Sequence, residues 1–256
     1  MAPRIIAVAN QKGGVGKTTT AISLAATFAA YERATLLLDV DPQSNATSGV
    51  GVEPAADGKT SYEVITGERS APEAVVRTDF PHLSLIPSTP DLAGAEVELV
   101  GMVGREFRLR DALRELEGFR YVVIDCPPSL GLLTLNALAA ADALLIPIQC
   151  EYFALEGVSE LMRTVEEVRR FLNPSLAIDG VLLTMYDDRT NLARQVAEEV
   201  RSVFGDLVFE TVVPRNVRLA EAPSFGRPVQ AYDLRCRGSQ AYLHLGREYL
   251  DRMEVA

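Results

Sequence analysis

The chain has 256 residues, 48% of them hydrophobic and 23% charged, which is enough for one substantial core without a second domain. A formal net charge of −10 argues against a surface that is basic throughout, because neutralising nucleic-acid phosphates needs lysine and arginine; a local basic face stays open. Three widely spaced cysteines, Cys126, Cys150 and Cys236, form no CxxC pair, which argues against a disulfide framework or a zinc ribbon and suits a cytosolic compartment.

Nothing before Arg4 resembles a signal peptide. The apolar run Ile5–Ala9 predicts a strand, and Ala21–Ala30 continues a helix that begins at Lys17. Between them lies NQKGGVGKTTT, Asn10 to Thr20. Gly13, Gly14 and Gly16 let the backbone curl around an anion, and Val15 and Thr19 share the loop whose N–H groups and helix N-terminus would face phosphates. Lys17 supplies charge for terminal phosphates, and Thr18 a hydroxyl for Mg²⁺. A dinucleotide fold using Gly14, Gly16 and Asp39 would explain the glycines but not the Lys17–Thr18 pair. The usual first glycine of such a loop is replaced by Gln11, and an additional lysine, Lys12, follows it.

Thr35–Asp39 reads as a strand buried on both faces, ending in the acids Asp39 and Asp41 at the sheet edge where ligands bind. Prolines and glycines between Gly49 and Pro90 predict short helices and one strand at Leu83–Ile86. Glu96–Leu116 reads as a helix with Val97, Val100, Val103, Phe107, Leu109 and Leu113 spaced for a buried face. Tyr121–Asp125 is a strand ending in a carboxylate suited to Mg²⁺. The most apolar stretch, Leu130–Ile148, is interrupted by Asn136, Asp142 and Pro147, so it reads as a helix and a strand rather than a membrane span. A helix at Leu155–Phe171, a strand at Gly180–Tyr186, a helix at Asn191–Phe204, then a strand and a proline-containing loop complete the pattern. The alternation predicts a single-domain α/β fold, with a mostly parallel central sheet and helices on both faces.

KGGVGKT (Lys12–Thr18), DVDPQ (Asp39–Gln43), DCPPSLG (Asp125–Gly131), CEYFALEG (Cys150–Gly157) and VPRN (Val213–Asn216) resemble the ParA/MinD group of P-loop ATPases, most closely its Soj branch. The resemblance runs from Ile5 to about Leu250. It implies ATP and Mg²⁺ as cofactors, with Asp125 and Thr18 at the metal and Asp39 near its outer shell. It also implies that Lys12 crosses a dimer interface to the partner's nucleotide, that Asp41 positions the attacking water, and that Pro214 and Asn216 contact adenine. By spacing alone, VPRN is an ordinary proline turn. Arg189 and Arg218, with Arg227 as a further candidate, match positions on the DNA-binding surface of Soj-like dimers; the alternative for each is solvated surface charge. Thr211–Gln240 carries five arginines against two acids.

The function so implied is ATP-dependent DNA segregation. An ATP-bound homodimer would bind double-stranded DNA nonspecifically through phosphates, and a ParB-type centromere-binding partner would stimulate the hydrolysis that releases it. The expected location is cytoplasmic and nucleoid-associated. Few residues precede the first strand, so the helix-turn-helix extension of many plasmid partition ATPases is expected to be absent. A membrane-associated, MinD-like positioning ATPase is the alternative, but Gln240–Ala256 is net negative and ill suited to anionic lipid. Metabolic or iron–sulfur enzymes using the same loop would need a substrate pocket or cluster thiolates, and no cluster spacing is evident.

Overall fold

The computed structural model describes residues 2–54, 57–151 and 154–255. The chain opens with β1 (Arg4–Val8), α1 (Lys17–Ala30), β2 (Thr35–Asp39) and the short α2 (Asn45–Gly49). Small elements follow: α3 (Ser61–Thr66), α4 (Ala71–Ala74), β3 (Val76–Arg77), β4 (Leu83–Ile86), α5 (Leu92–Leu99) and α6 (Arg108–Leu113). The regular alternation resumes with β5 (Tyr121–Asp125), α7 (Leu132–Ala140), β6 (Ala143–Gln149), α8 (Ala154–Phe171), β7 (Ala177–Tyr186), α9 (Asn191–Phe204) and β8 (Val208–Pro214). Three helices close the chain: α10 (Val217–Glu221), α11 (Val229–Tyr232) and α12 (Arg237–Val255).

Eight strands form one sheet in the order β3-β4-β2-β5-β1-β6-β7-β8, parallel except for the edge pair β3–β4. Period-two alternation divides the apolar strand residues between two cores. Leu36, Leu38, Val122, Ile124, Leu144 and Ile146 pack under helices α3 to α9, whereas Leu37, Val123, Leu145 and Phe209 pack under α1, α11 and α12. The expected mostly parallel sheet with helices on both faces is therefore present.

The predicted helix over 96–116 is not continuous. It breaks after α5, and a 3₁₀ turn at Arg105–Phe107 precedes α6. Gly104 (φ +69°) takes a left-handed conformation that ends the helical path. The buried face of α5 is Leu92, Ala95 and Leu99, so Val97, Val100 and Val103 point outward, at 76%, 61% and 100% exposure. The segment after β8, read as a loop, holds α10 and a 3₁₀ turn. Of the CEYFALEG run, Tyr152 and Phe153 lie outside the described residues.

Helix α12 completes the buried side of α1. Tyr242, Leu245 and Tyr249 are fully or almost fully buried in the same core as Leu24 and Phe28. The hydroxyls of Tyr242 and Thr20 share a 3.0 Å hydrogen bond, and Thr27 Oγ1 donates to the Tyr242 carbonyl at 3.3 Å. Gln230 Nε2, from α11, donates to the Ser23 carbonyl at 2.9 Å and to Thr27 Oγ1 at 3.0 Å. At the far end, Arg4 Nη2 donates to Asp179 Oδ1 at 2.8 Å, while the Tyr249 hydroxyl donates to Asp179 Oδ2. First strand, seventh strand and last helix are thus tied by one ionic cluster.

Candidate nucleotide-binding site

Strand order places the acids. β1 pairs with β5 so that Val8 lies opposite Asp125, and β2 pairs with β5 so that Asp39 lies opposite the same residue. The loop leaving β1 therefore rises beside Asp125, at the carboxyl edge where open α/β sheets hold ligands.

Several contacts shape that loop. Gly14 (φ +76°) and Gly16 (φ +88°) are left-handed, and a Cβ placed on Gly13 or Gly14 would meet nothing within 4 Å. The cradle is open outward, with the N-terminus of α1 at its base. Asn10 fastens the loop to β6: its Nδ2 donates to the Pro147 carbonyl at 2.8 Å, and its Oδ1 accepts the Lys12 amide at 3.0 Å. Thr184, at the end of β7, holds the other side by donating Oγ1 to the Val15 carbonyl at 2.8 Å.

Lys17 is buried, and its Nζ donates to the Lys12 carbonyl at 3.0 Å. Burial lowers the ammonium pKa, while Asp125, Cys126 and Asp41 act in the opposite direction. Asp125 is fully buried, and neither carboxylate oxygen has a hydrogen-bond partner among the described residues. Burial and then the charge of Asp39 push its pKa well up, against the influence of Thr18 and Lys17. An unpartnered buried carboxylate beside a threonine at a helix N-terminus fits a divalent cation, because a cation supplies the charge the carboxylate lacks. Cys126, fully buried, has its thiol pKa pushed up by burial and by Asp125, in keeping with a small packed side chain rather than a nucleophile.

Asp39 differs from Asp125 in having partners. Its Oδ2 accepts from the Thr47 amide at 2.8 Å and hydroxyl at 2.7 Å, and its Oδ1 from the Asp41 amide at 3.1 Å. Burial outweighs these bonds and lifts its pKa to about 6. Asp41 is 6% exposed; its Oδ1 accepts the Gln43 amide at 2.9 Å, and its Oδ2 has no protein partner among the described residues.

Pro214 and Asn216 reach the same site from the opposite end of the sequence. They line an apolar cavity of about 330 Å³ whose walls also include Gly16, Thr19, Thr184, Met185 and Tyr242. Its position against the phosphate loop and its apolar walls suit a purine base. Asn216 Oδ1 caps α10 by accepting the Arg218 amide at 2.9 Å, leaving the side-chain NH₂ as the group free for a base edge. Met185 (φ +51°) carries backbone strain at the cavity wall.

The Lys12 ammonium makes no hydrogen bond or ion pair among the described residues. The three arginines are not gathered together. Arg189 is gripped by Asp187, Nε to Oδ1 at 2.8 Å and Nη2 to Oδ2 at 2.6 Å, and the guanidinium holds the Asp187 carboxyl down to about 2. It shares a groove of about 680 Å³ with Arg215, Arg235, Arg237 and His244. Arg218 is outside that groove's walls, paired with Glu221 at 2.7 Å and Asp233 at 3.5 Å. Arg227 is exposed in the turn before α11.

A family model described as an AAA domain matches residues 3–178. "Chromosome partitioning protein ParA" of Myxococcus xanthus is 58% identical over 97% of this chain and 88% of its own length. The chain belongs to the ParA/Soj family. The sporulation initiation inhibitor protein Soj of Bacillus subtilis is 52% identical over 96% of this chain and 97% of its own. Among solved structures, cobyrinic acid a,c-diamide synthase of Mycobacterium smegmatis, with bound ATP analogue and magnesium, matches with a TM-score of 0.86 at 38% identity, covering 99% and 96% of the two chains. Asn10, Thr184 and Met185, to which the sequence motifs give no individual role, shape the loop and the cavity of this ParA/Soj site.

Proposed function

We propose that this ParA/Soj chain is an ATP-dependent DNA-partition switch. The observation that carries the reading is the convergence, on one sheet edge, of an open phosphate cradle, an unpartnered buried Asp125 and the apolar cavity at Pro214 and Asn216. Gly13 to Thr19 would hold the phosphates, Lys17 would meet the terminal ones, and Thr18 and Asp125 would hold Mg²⁺. When bound, Mg²⁺ neutralises charge that develops on the phosphates. Asp41 Oδ2, the oxygen left free, orients the attacking water, since phosphoryl transfer needs little beyond positioning and charge compensation.

The unpartnered Lys12 beside the cradle supports a role across an ATP-bound homodimer, on the partner's nucleotide. The resulting dimer binds nonspecific DNA, with Arg189, Arg218 and Arg227 contributing phosphate contacts, and a ParB-type protein accelerates the hydrolysis that releases it. The MinD-like reading loses support from α12. That helix buries its apolar face on α1, and no helix among the described residues is long and apolar enough to cross a membrane. The deciding experiment is sedimentation with a random DNA duplex and, in parallel, with anionic vesicles, under ATP, ADP or no nucleotide. DNA binding restricted to ATP is expected; ATP-dependent vesicle binding without DNA binding would overturn the reading.

A further inference from the structure

Beyond the phosphate loop, the fold holds a closed ring of hydrogen bonds with no assigned role. Thr47 Oγ1 donates to Asp39 Oδ2 at 2.7 Å and accepts the Ser88 amide at 2.9 Å. Ser88 Oγ donates to the Asp41 carbonyl at 2.8 Å, and the Asp41 amide returns to Asp39 Oδ1 at 3.1 Å. Asp39 and Ser88 are completely buried, and Thr47 is 1% exposed. The ring joins three segments: the end of β2, helix α2 and the loop between β4 and α5.

Its geometry acts on one residue. Both peptide groups of Asp41 are fixed, the N–H by Asp39 and the C=O by Ser88, with the Ser44 amide adding a second bond to that carbonyl at 2.9 Å. The Gln43 amide occupies Oδ1 at 2.9 Å, so the direction of Oδ2 follows from the backbone the ring holds. Van der Waals packing alone could not do this, because hydrogen bonds at both peptide groups constrain rotation as well as translation. We propose that Thr47 and Ser88, acting through the carboxylate of Asp39 and the carbonyl of Asp41, are positioning residues that aim Asp41 Oδ2 at the attacking water. This rests on the reading of Asp41 as the water-orienting group.

Two pairs of variants of the full chain test it. Thr47→Val keeps volume and removes the hydroxyl; Thr47→Ser keeps the hydroxyl and removes a methyl. If the ring positions Asp41, Thr47→Val lowers kcat about tenfold, roughly 1.4 kcal/mol in the barrier, with KM and ATP-analogue affinity within about twofold, and Thr47→Ser stays near wild type. A role in packing reverses that order and refutes the proposal. Ser88→Ala, a one-atom deletion, decides the matter if Thr47→Val does not fold. It should lower kcat similarly, yet add less than about twofold when Asp41 is already alanine, because residues acting as a unit are not additive. A further loss in the Asp41→Ala background would show that Ser88 acts elsewhere. In the nucleotide-free chain, amide exchange at Asp41 should quicken in Ser88→Ala; unchanged protection would also overturn the ring. An Asp41→Ala chain hydrolysing at the wild-type rate would instead refute the role of Asp41 itself, and the ring's purpose with it.

Discussion

Replacing Asp125 with asparagine should make the nucleotide-free protein more stable and at the same time remove its response to Mg²⁺. Asp125 is fully buried without a hydrogen-bond partner among the described residues, so its ionised form is an uncompensated charge apart from the influence of Thr18 and Lys17. An unpaired buried charge costs about 3–5 kcal/mol. The neutral amide in the same place still lacks partners and costs about 1–3 kcal/mol. The difference, about 2 kcal/mol, corresponds to a rise of roughly 4–8 °C in Tm for a domain of this size. The direction of the pH dependence follows from the raised pKa. The folded carboxyl holds its proton above its unfolded value of about 3.9, so this group's contribution to stability falls as pH rises from there. The advantage of Asp125→Asn should therefore be present at pH 7.5 and shrink towards pH 4. Thermal melts without Mg²⁺ or nucleotide, together with calorimetric ATP titrations with and without Mg²⁺, measure both effects. Equal melting temperatures at pH 7.5, or an Asp125→Asn chain whose ATP affinity still rises with Mg²⁺, would refute the reasoning.

Lys12→Ala should bind ATP yet remain monomeric in light scattering, because the ammonium makes no hydrogen bond or ion pair among the described residues of its own chain; ATP-dependent dimers would remove the cross-interface assignment. Arg189→Glu combined with Arg218→Glu should abolish ATP-dependent DNA binding and leave ATP-dependent dimerisation intact, and unchanged binding would point to the groove at Arg215, Arg235 and Arg237 instead. Tyr249→Phe deletes a donor to the buried Asp179 and should cost about 2 kcal/mol, a drop of roughly 4–8 °C in Tm, while leaving ATP affinity unchanged.

The phosphate loop was legible because its chemistry is local: glycines, a lysine and a threonine at fixed spacing between a strand and a helix. Asp39 and Asp125 were legible for a related reason, since an apolar run ending in an acid places that acid at the sheet edge. What the sequence concealed depends on distant partners. Thr184 bonds to Val15 across 169 positions, and Ser88 meets Asp41 across 47, so no local pattern announces either. The valines at 97, 100 and 103 misled for the opposite reason. Their spacing suggested a helix face, but the chain turns out of its helix near Gly104, and the burial of Leu92, Ala95 and Leu99 directs the valines outward. Asn216 was marked for its amide, whereas its carbonyl oxygen is spent on starting α10.

The packing of α12 on α1 also sets a timetable for synthesis. α1, which begins at the phosphate loop, is among the first segments a ribosome makes, yet Thr20 gains the Tyr242 hydroxyl, and Ser23 and Thr27 the Gln230 amide, only near the end of synthesis. Until then that side of the helix has polar groups and apolar surface with nothing to cover them, and the cavity at Pro214 and Asn216 does not exist. Ribosome-stalled chains ending before residue 214, which have the phosphate loop but not that cavity, should retain an ATP analogue less well than the full chain. The walls of the candidate base cavity are therefore completed only in the last stretch of synthesis, when Tyr242 is added.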